Sequence, residues 1–258
     1  MIKAIFFDVD GTLVPMNGKK IVDSALNAIN ILQNKGIKCV VCSGRDFREI
    51  GKNNNILEKV KFDATIASTG QYCLDKDGVP FYIQYMNENQ RREIVNLFKE
   101  KKYAICLKTE FGSYINCLTS INESIYKKFN RNLWPIKEYQ GEKIFQAMAY
   151  INNEDRKELI KSIKDLTITS WHPLMADVIP LNGGKSKGIE KYLEKENIKI
   201  EETMAFGDSE NDIDMLIYAG IGVAMGNANE KVKKSANYIT DDCDKDGIYK
   251  ALKHFDVI

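Results

Sequence analysis

Five consecutive residues, Asp8-Val9-Asp10-Gly11-Thr12, set two carboxylates two positions apart directly after a short apolar run. Carboxylates so spaced can ligate a cation, attack an electrophile or exchange protons; the plainer alternative is a solvated turn. A calcium loop would need glycine at its sixth position and glutamate at its twelfth, and Leu13 and Lys19 stand there instead. A second acidic set, Gly207-Asp208-Ser209-Glu210-Asn211-Asp212, again follows an apolar run and enters a helical one. Its two aspartates, four residues apart, are expected on one helical face. Three or four carboxylates brought together repel unless a cation compensates them, and an oxygen-only set with few ligands suits Mg²⁺ joined by a substrate phosphate. The alternative is that Asp208 and Ser209 cap a helix.

Two further sets carry positive charge or donors. Cys42-Ser43-Gly44-Arg45 offers a hydroxyl, a compliant backbone and a guanidinium, which together suit a phosphate. Gly183-Gly184-Lys185-Ser186-Lys187-Gly188 partly matches a nucleotide-binding P-loop, but that loop needs glycine where Ile179 stands. The P-loop is thereby excluded, and Lys185 at the head of a helix over 185–196 is left as one fixed positive charge.

The elements that must position these residues follow from apolar periodicity. Residues 2–7 form an almost wholly apolar run, as in a strand covered on both faces. Residues 24–35 place Ala25, Ala28, Ile29 and Leu32 at helical spacing, Gly36 ends the helix, and a second apolar run spans 37–42. The pattern returns near the other end, with strands at 203–206 and 221–224, a helix at 212–218 and another from Asn229. This alternation predicts a doubly wound α/β core with a parallel sheet. Between the halves, strands are expected at 81–85, 104–107, 113–116, 145–150 and 176–179, and helices at 88–101, 120–129 and 154–163. The expected organisation is therefore a core of residues 1–80 and 182–258, with an α+β domain inserted over 81–181.

Composition narrows the function classes. Of 258 residues, 37 are Lys or Arg and 36 are Asp or Glu, so the net charge of +1 supplies no field for a nucleic-acid backbone or an anionic membrane. No apolar stretch approaches the roughly 18 residues of a spanning helix, and Lys3, Asp8 and Asp10 interrupt the place of a signal-peptide core. A cytoplasmic protein without nucleic-acid or membrane partners is expected. The six cysteines are scattered, and the one Cys-x-x-Cys spacing, Cys39 to Cys42, lies inside an apolar run without a second ligand pair, so it reads as buried strand thiols. His172, beside Trp171 and Pro173, reads as a surface imidazole, and Asp242-Cys243-Asp244-Lys245-Asp246-Gly247 as a helix start rather than a calcium loop, since Lys253 occupies its twelfth position.

The four sets, in this order, resemble those of the haloacid dehalogenase-like phosphohydrolases. The large insertion between the second and third of them in chain order, and the stretch Trp171 to Val178 leading into Lys185, are similar to the branch with a large α+β cap, often called Cof-type, which includes sugar-phosphate phosphatases. The resemblance implies a Mg²⁺-dependent phosphatase of small phosphate esters, sugar phosphates above all. Asp8 would be the nucleophile that forms an aspartyl phosphate, and Asp10 the acid and base. Mg²⁺ would be held by Asp8, the backbone carbonyl of Asp10, and Asp208, with Asp212 close by. Ser43, Gly44, Lys185 and Asn211 would hold the phosphoryl group. Lys185 is preferred to Lys187 because Gly188 and Ile189 follow it at the spacing seen in related chains. Ser43 stands where threonine is common, and Thr69-Gly70 where many relatives have Asn-Gly, so no substrate contact is assigned to that loop. Two rivals stay open: a phosphomutase using the same aspartates, and a non-catalytic module that binds a phospho-ligand. A monomer or weak dimer is expected.

Overall fold

The computed structural model describes residues 1–16, 18, 20–50, 60–129 and 132–258. The chain divides into two compact units, Met1–Ile83 with Gly184–Ile258, and Gln84–Gly183.

The first unit is built on β1 (Ala4–Phe7), β2 (Lys38–Cys42), β3 (Ala64–Ala67), β4 (Tyr72–Asp75), β5 (Pro80–Ile83), β11 (Thr203–Gly207), β12 (Ile221–Ala224) and β13 (Tyr238–Ile239). They form one sheet in the order β13-β12-β11-β1-β2-β3-β4-β5. Pairing is parallel from β13 through β3 and antiparallel from β3 to β5. Helix α1 (Asp23–Asn34) covers one face together with α8 (Gly247–His254). The opposite face is covered by α5 (Lys185–Glu196), α6 (Ile213–Tyr218) and the single turn α7 (Glu230–Lys233).

Strand β1 shows why the apolar run is uninterrupted. Side chains alternate across a strand: Ile5 and Phe7 enter the core with Ile29, Leu32 and Leu252, while Ala4 and Phe6 enter the one with Ile189, Tyr192 and Met215. Both faces are dry, so no position of β1 tolerates a polar residue. From β1 the chain winds one way to β2 and β3 and the other way to β11, β12 and β13. The order therefore reverses at β1, and crevices at such switch points are where open α/β sheets bind ligands.

The second unit is an antiparallel sheet of β6 (Ala104–Thr109), β7 (Gly112–Ile115), β8 (Ile144–Tyr150), β9 (Leu166–His172) and β10 (Met175–Pro180), in the order β7-β6-β8-β10-β9. Helices α2 (Glu88–Glu100) and α4 (Asn153–Ser162) pack Ile94, Phe98 and Leu159 on one face; α3 (Ser120–Lys128) packs Ile125 and Tyr126 on the other. This is the α+β insert anticipated from the pattern.

Several expectations need correction. The strand foreseen at 81–85 as the start of the insert is β5, the edge of the first unit's sheet. The tight turn that forms it is set by Asp75, whose side chain accepts from Asp77 N at 3.0 Å and Val79 N at 2.9 Å and folds the chain back on β4. The first unit accordingly ends at Ile83 rather than residue 80. The helix foreseen from Asn229 is one turn, α7, capped by the Asn229 side chain on Val232 N. Strand β9 was not foreseen, because Trp171 to Val178 reads as one stretch until a turn at Pro173 and Leu174 splits it into the β9–β10 hairpin. His172 is buried, not exposed: its Nδ1 accepts from Leu174 N at 3.2 Å inside that hairpin. The six cysteines are unpaired thiols, five of them buried.

Gly188 shows how tightly α5 is seated. A Cβ there would lie 2.5 Å from Ile66 Cγ2 and 3.1 Å from Cys73 Sγ. Alanine favours a helix interior over glycine by about 1 kcal/mol, but overpacking costs about 1–3 kcal/mol. Gly188→Ala is expected to lower stability by about 1–2 kcal/mol in chemical denaturation, against the sign of helix propensity.

Candidate active site

The loops after β1, β2 and β11 and the head of α5 contribute the site. Because β1 and β11 pair in register through Phe7 and Phe206, the residues that follow them emerge side by side. Asp8 follows the first and Asp208 the second, and Asp8 N donates to Phe206 O at 3.0 Å.

Lys185 is the first residue of α5, and its side chain is wholly buried. Its Nζ donates to Asp8 Oδ1 at 2.6 Å, Asp212 Oδ1 at 2.5 Å and the Cys42 carbonyl at 3.1 Å. All three ammonium donors are thus used, on groups delivered by three parts of the chain. The head of α5 is itself held by Asp214, whose Oδ2 accepts from Ser186 N at 2.9 Å and Ser186 Oγ at 2.8 Å. Lys187 points elsewhere and pairs with Glu190 on the half-exposed side of the helix. The structure therefore distinguishes the two lysines that the sequence offered.

Asp8, Asp208 and Asp212 are all buried, and one oxygen from each lies within 4.8 Å of the other two. Asp208 and Asp212 do not share a helical face as expected. Asp208 lies in the loop after β11, and Asp212 ends a short 3₁₀ turn, Glu210–Asp212. Its Oδ2 turns back to accept from Asp208 N at 3.0 Å and Ser209 N at 2.9 Å, satisfying the amides that begin the turn. Asp212 thus shares in a capping box with Ser209 while its other oxygen takes Lys185. Asp208 lies against the backbone of Gly11, where φ is +91° and a Cβ would come within 2.2 Å of Asp208 Oδ2, so only glycine fits. Thr12 Oγ1 donates to Asp208 Oδ1 at 3.3 Å.

The carboxyl group of Asp10 stays outside this cluster. Arg45 grips it with a fork, Nε to Oδ2 at 2.7 Å and Nη2 to Oδ1. The guanidinium suggested for a phosphate is thereby engaged by Asp10, a pairing that residues 35 apart in sequence do not reveal. Ser43 is buried, with its Oγ accepting from Arg45 N at 3.1 Å, and Gly44 lies between them. Asn211 is buried in the Glu210–Asp212 turn, and its Oδ1 has no hydrogen-bond partner.

Burial, reinforced by Asp212, pushes the Asp8 carboxyl up to about 7 even though Lys185 opposes the shift. Burial, then Asp8 and Asp212, drives Asp208 well above the carboxylate range. Burial disfavours the Lys185 cation, but Asp212 and Asp8 outweigh it and keep the amine protonated. Fully ionised, three carboxylates and one ammonium would carry a net charge of −2 in this buried site, and a divalent cation is the natural complement of that state. The buried carboxylate oxygens of Asp8, Asp208 and Asp212 form a hard, all-oxygen donor set, so the residues present fit Mg²⁺.

The family profile for haloacid dehalogenase-like hydrolases matches residues 5–252. The chain belongs to that family. This hydrolase superposes on BT4131, a sugar phosphatase of subclass IIB of the superfamily, with a TM-score of 0.91 and 34% identity, covering 99% of this chain and 100% of that one. It also resembles the superfamily phosphatase BT1666 from Bacteroides thetaiotaomicron, with a TM-score of 0.89 and 34% identity over 100% and 96% of the two chains. By sequence it is 30% identical to the 5-amino-6-(5-phospho-D-ribitylamino)uracil phosphatase YcsE of Bacillus subtilis, covering 98% of this chain and 96% of that one. Among the described residues, no helix is long and apolar enough to cross a membrane.

Two measurements follow from the electrostatics. A carboxyl whose folded pKa is raised binds its proton more tightly in the folded state, so its stabilisation is lost as pH rises toward that value. At pH 5 the folded Asp8 keeps its proton; at pH 8 it is charged, and in EDTA nothing but Lys185 compensates the cluster. The rise in melting temperature caused by Mg²⁺ is therefore expected to be larger at pH 8 than at pH 5, with Asp8→Asn weakening the trend. His172, whose pKa burial lowers and whose stabilisation runs the opposite way with pH, cancels because it is present with and without the metal. In addition, Lys185→Met strands Asp8 and Asp212 and is expected to cost about 3–5 kcal/mol at pH 8 in denaturant titration, whereas Lys187→Ala stays within about 0.5 kcal/mol.

Proposed function

We propose that this hydrolase is a Mg²⁺-dependent phosphatase of small phosphorylated metabolites, with sugar phosphates preferred, working through an aspartyl phosphate on Asp8. The observation that carries the reading is the division of labour between the two aspartates of the first motif. Asp8 is buried and bonded to Lys185 beside two more carboxylates, whereas the Asp10 carboxyl is held by Arg45 outside the cluster.

Asp8, Asp208 and the backbone carbonyl of Asp10 hold the ion in this reading, with Asp212 close by. When bound, Mg²⁺ neutralises charge on the cluster and on the phosphoryl oxygens. Lys185, fixed by Asp8 and Asp212, keeps a permanent positive charge at the nucleophile and attracts the phosphoryl group. Ser43, Gly44 and Asn211 add donors to its remaining oxygens.

A carboxylate oxygen of Asp8 forms a bond to phosphorus while the bond from phosphorus to the ester oxygen breaks. Asp10 delivers its proton to that oxygen, and the alcohol leaves. Asp10, now a carboxylate, takes a proton from a water whose oxygen attacks phosphorus, which breaks the bond to Asp8 and releases phosphate. The fork from Arg45 holds the Asp10 carboxyl outside the cluster. We assign substrate selection to the second unit, Gln84–Gly183, as the cap of the family resemblance. Support for the sugar-phosphate class is the likeness to BT4131, a sugar phosphatase, and to YcsE, whose named substrate carries a phosphoribityl group.

The test is phosphate release from sugar phosphates, nucleotides and pyridoxal phosphate, in Mg²⁺ and in EDTA, for wild type and Asp8→Asn. Release that requires Mg²⁺ and falls about 10³-fold or more in Asp8→Asn is expected. Undiminished release by Asp8→Asn, or by wild type in EDTA, would refute the mechanism.

A further inference from the structure

Asn227 lies three residues beyond β12 and has no place in the scheme above. Its carboxamide is engaged at both ends. Nδ2 donates to the Gly11 carbonyl at 2.9 Å and to Asp208 Oδ2 at 3.4 Å, and Oδ1 accepts from Cys243 N at 2.9 Å. One side chain thus ties together the loops that follow β1, β11 and β13. Its orientation is dictated by its surroundings, because a carbonyl and a carboxylate demand the NH₂ end and a backbone N–H demands the oxygen.

The consequence falls on Asp208. Thr12 restrains Oδ1 and Asn227 restrains Oδ2, so rotation of the carboxylate is opposed on both sides. Both donors are neutral, and they orient the group without cancelling its charge. The backing of Asn227 is stiff as well. Gly226 N donates to Asp241 O at 3.0 Å, and a Cβ at Gly226 would lie 2.6 Å from Asp242 Oδ1 and 2.7 Å from Asp242 N. The acidic stretch from Asp242 to Gly247 thereby gains a role through its backbone, while the Asp242 carboxylate pairs with Lys245 at 2.6 Å.

We propose that Asn227 is a positioning residue of the metal centre, one that fixes the Asp208 carboxylate for a divalent cation and so sets the affinity for Mg²⁺. The inference rests on the metal reading of Asp8, Asp208 and Asp212. Partners that orient a ligating carboxylate typically change metal affinity about 10- to 100-fold when removed.

The experiment is calorimetric titration of the metal-stripped full chain with Mg²⁺ and no substrate, for wild type, Asn227→Ala, Asn227→Leu and Thr240→Val. The leucine variant fills the volume and serves if the alanine variant does not fold. Thr240 is buried in the same turn and its Oγ1 donates to Gly247 O at 2.6 Å without touching Asp208, so its loss loosens the turn alone. The Mg²⁺ Kd is expected to rise about 10- to 100-fold in the Asn227 variants and to stay at the wild-type value in Thr240→Val, with phosphate release by the Asn227 variants recovering at saturating Mg²⁺. An unchanged Kd in a folded Asn227 variant, or an equal shift in Thr240→Val, overturns the proposal while leaving the phosphatase reading intact. Failure of wild type to take up Mg²⁺ overturns the metal reading, and this inference with it.

Discussion

A lysine ammonium buried between two aspartates organises this molecule's candidate site. A charge removed from water is tolerated only when its hydrogen bonds are made and its charge is answered, and Lys185 meets both conditions on Asp8, Asp212 and the Cys42 carbonyl. Each partner comes from a different stretch of chain, so the end of β1, the end of β2 and the turn after β11 must converge on the head of α5. The close seating of α5 on β3 at Gly188, and its anchoring through Ser186 to Asp214, are the packing that makes this convergence possible.

The same interaction leaves the site unbalanced. One ammonium answers one of three carboxylates, and the raised pKa values of Asp8 and Asp208 record the rest as a free-energy cost of burial and repulsion. Stability alone would favour an apolar replacement. Such a cluster makes sense where a cation and a phosphoryl group complete it, because carboxylates that repel one another all attract the cation. Asp10 belongs to a different regime: partly exposed and gripped by Arg45, it adds to the repulsion on Asp8 less than burial and Asp212 do.

Packing around the carboxylates is as specific as their chemistry. Gly11 gives its side-chain volume to Asp208, Asp212 caps its own turn with one oxygen and binds Lys185 with the other, and Asn227 reaches across three loops. Such dual use is clearest in the turn after β11, where Asp212 satisfies two backbone amides with one oxygen and presents the other to the site.

Much of this was legible in the chain itself. The apolar run of β1 fits a strand with two dry faces, and the spacing of Ala25, Ala28, Ile29 and Leu32 fits a helix, since short-range periodicity carries both signals. The doubly wound core, the α+β insert and the acidic sets after β1 and β11 follow from such local patterns. The resemblance to related chains favoured Lys185 over Lys187, but which lysine meets Asp8 and Asp212 belongs to the fold, because it depends on which face packs against β3. Likewise, the grip of Arg45 on Asp10, the reversal of Asp212 onto its own turn, the burial of His172 and the span of Asn227 join residues whose separation in sequence carries no periodic signal. Local patterning determines the elements; only tertiary packing determines which polar atoms meet, because long-range hydrogen bonds are selected by the shape left between elements already in place.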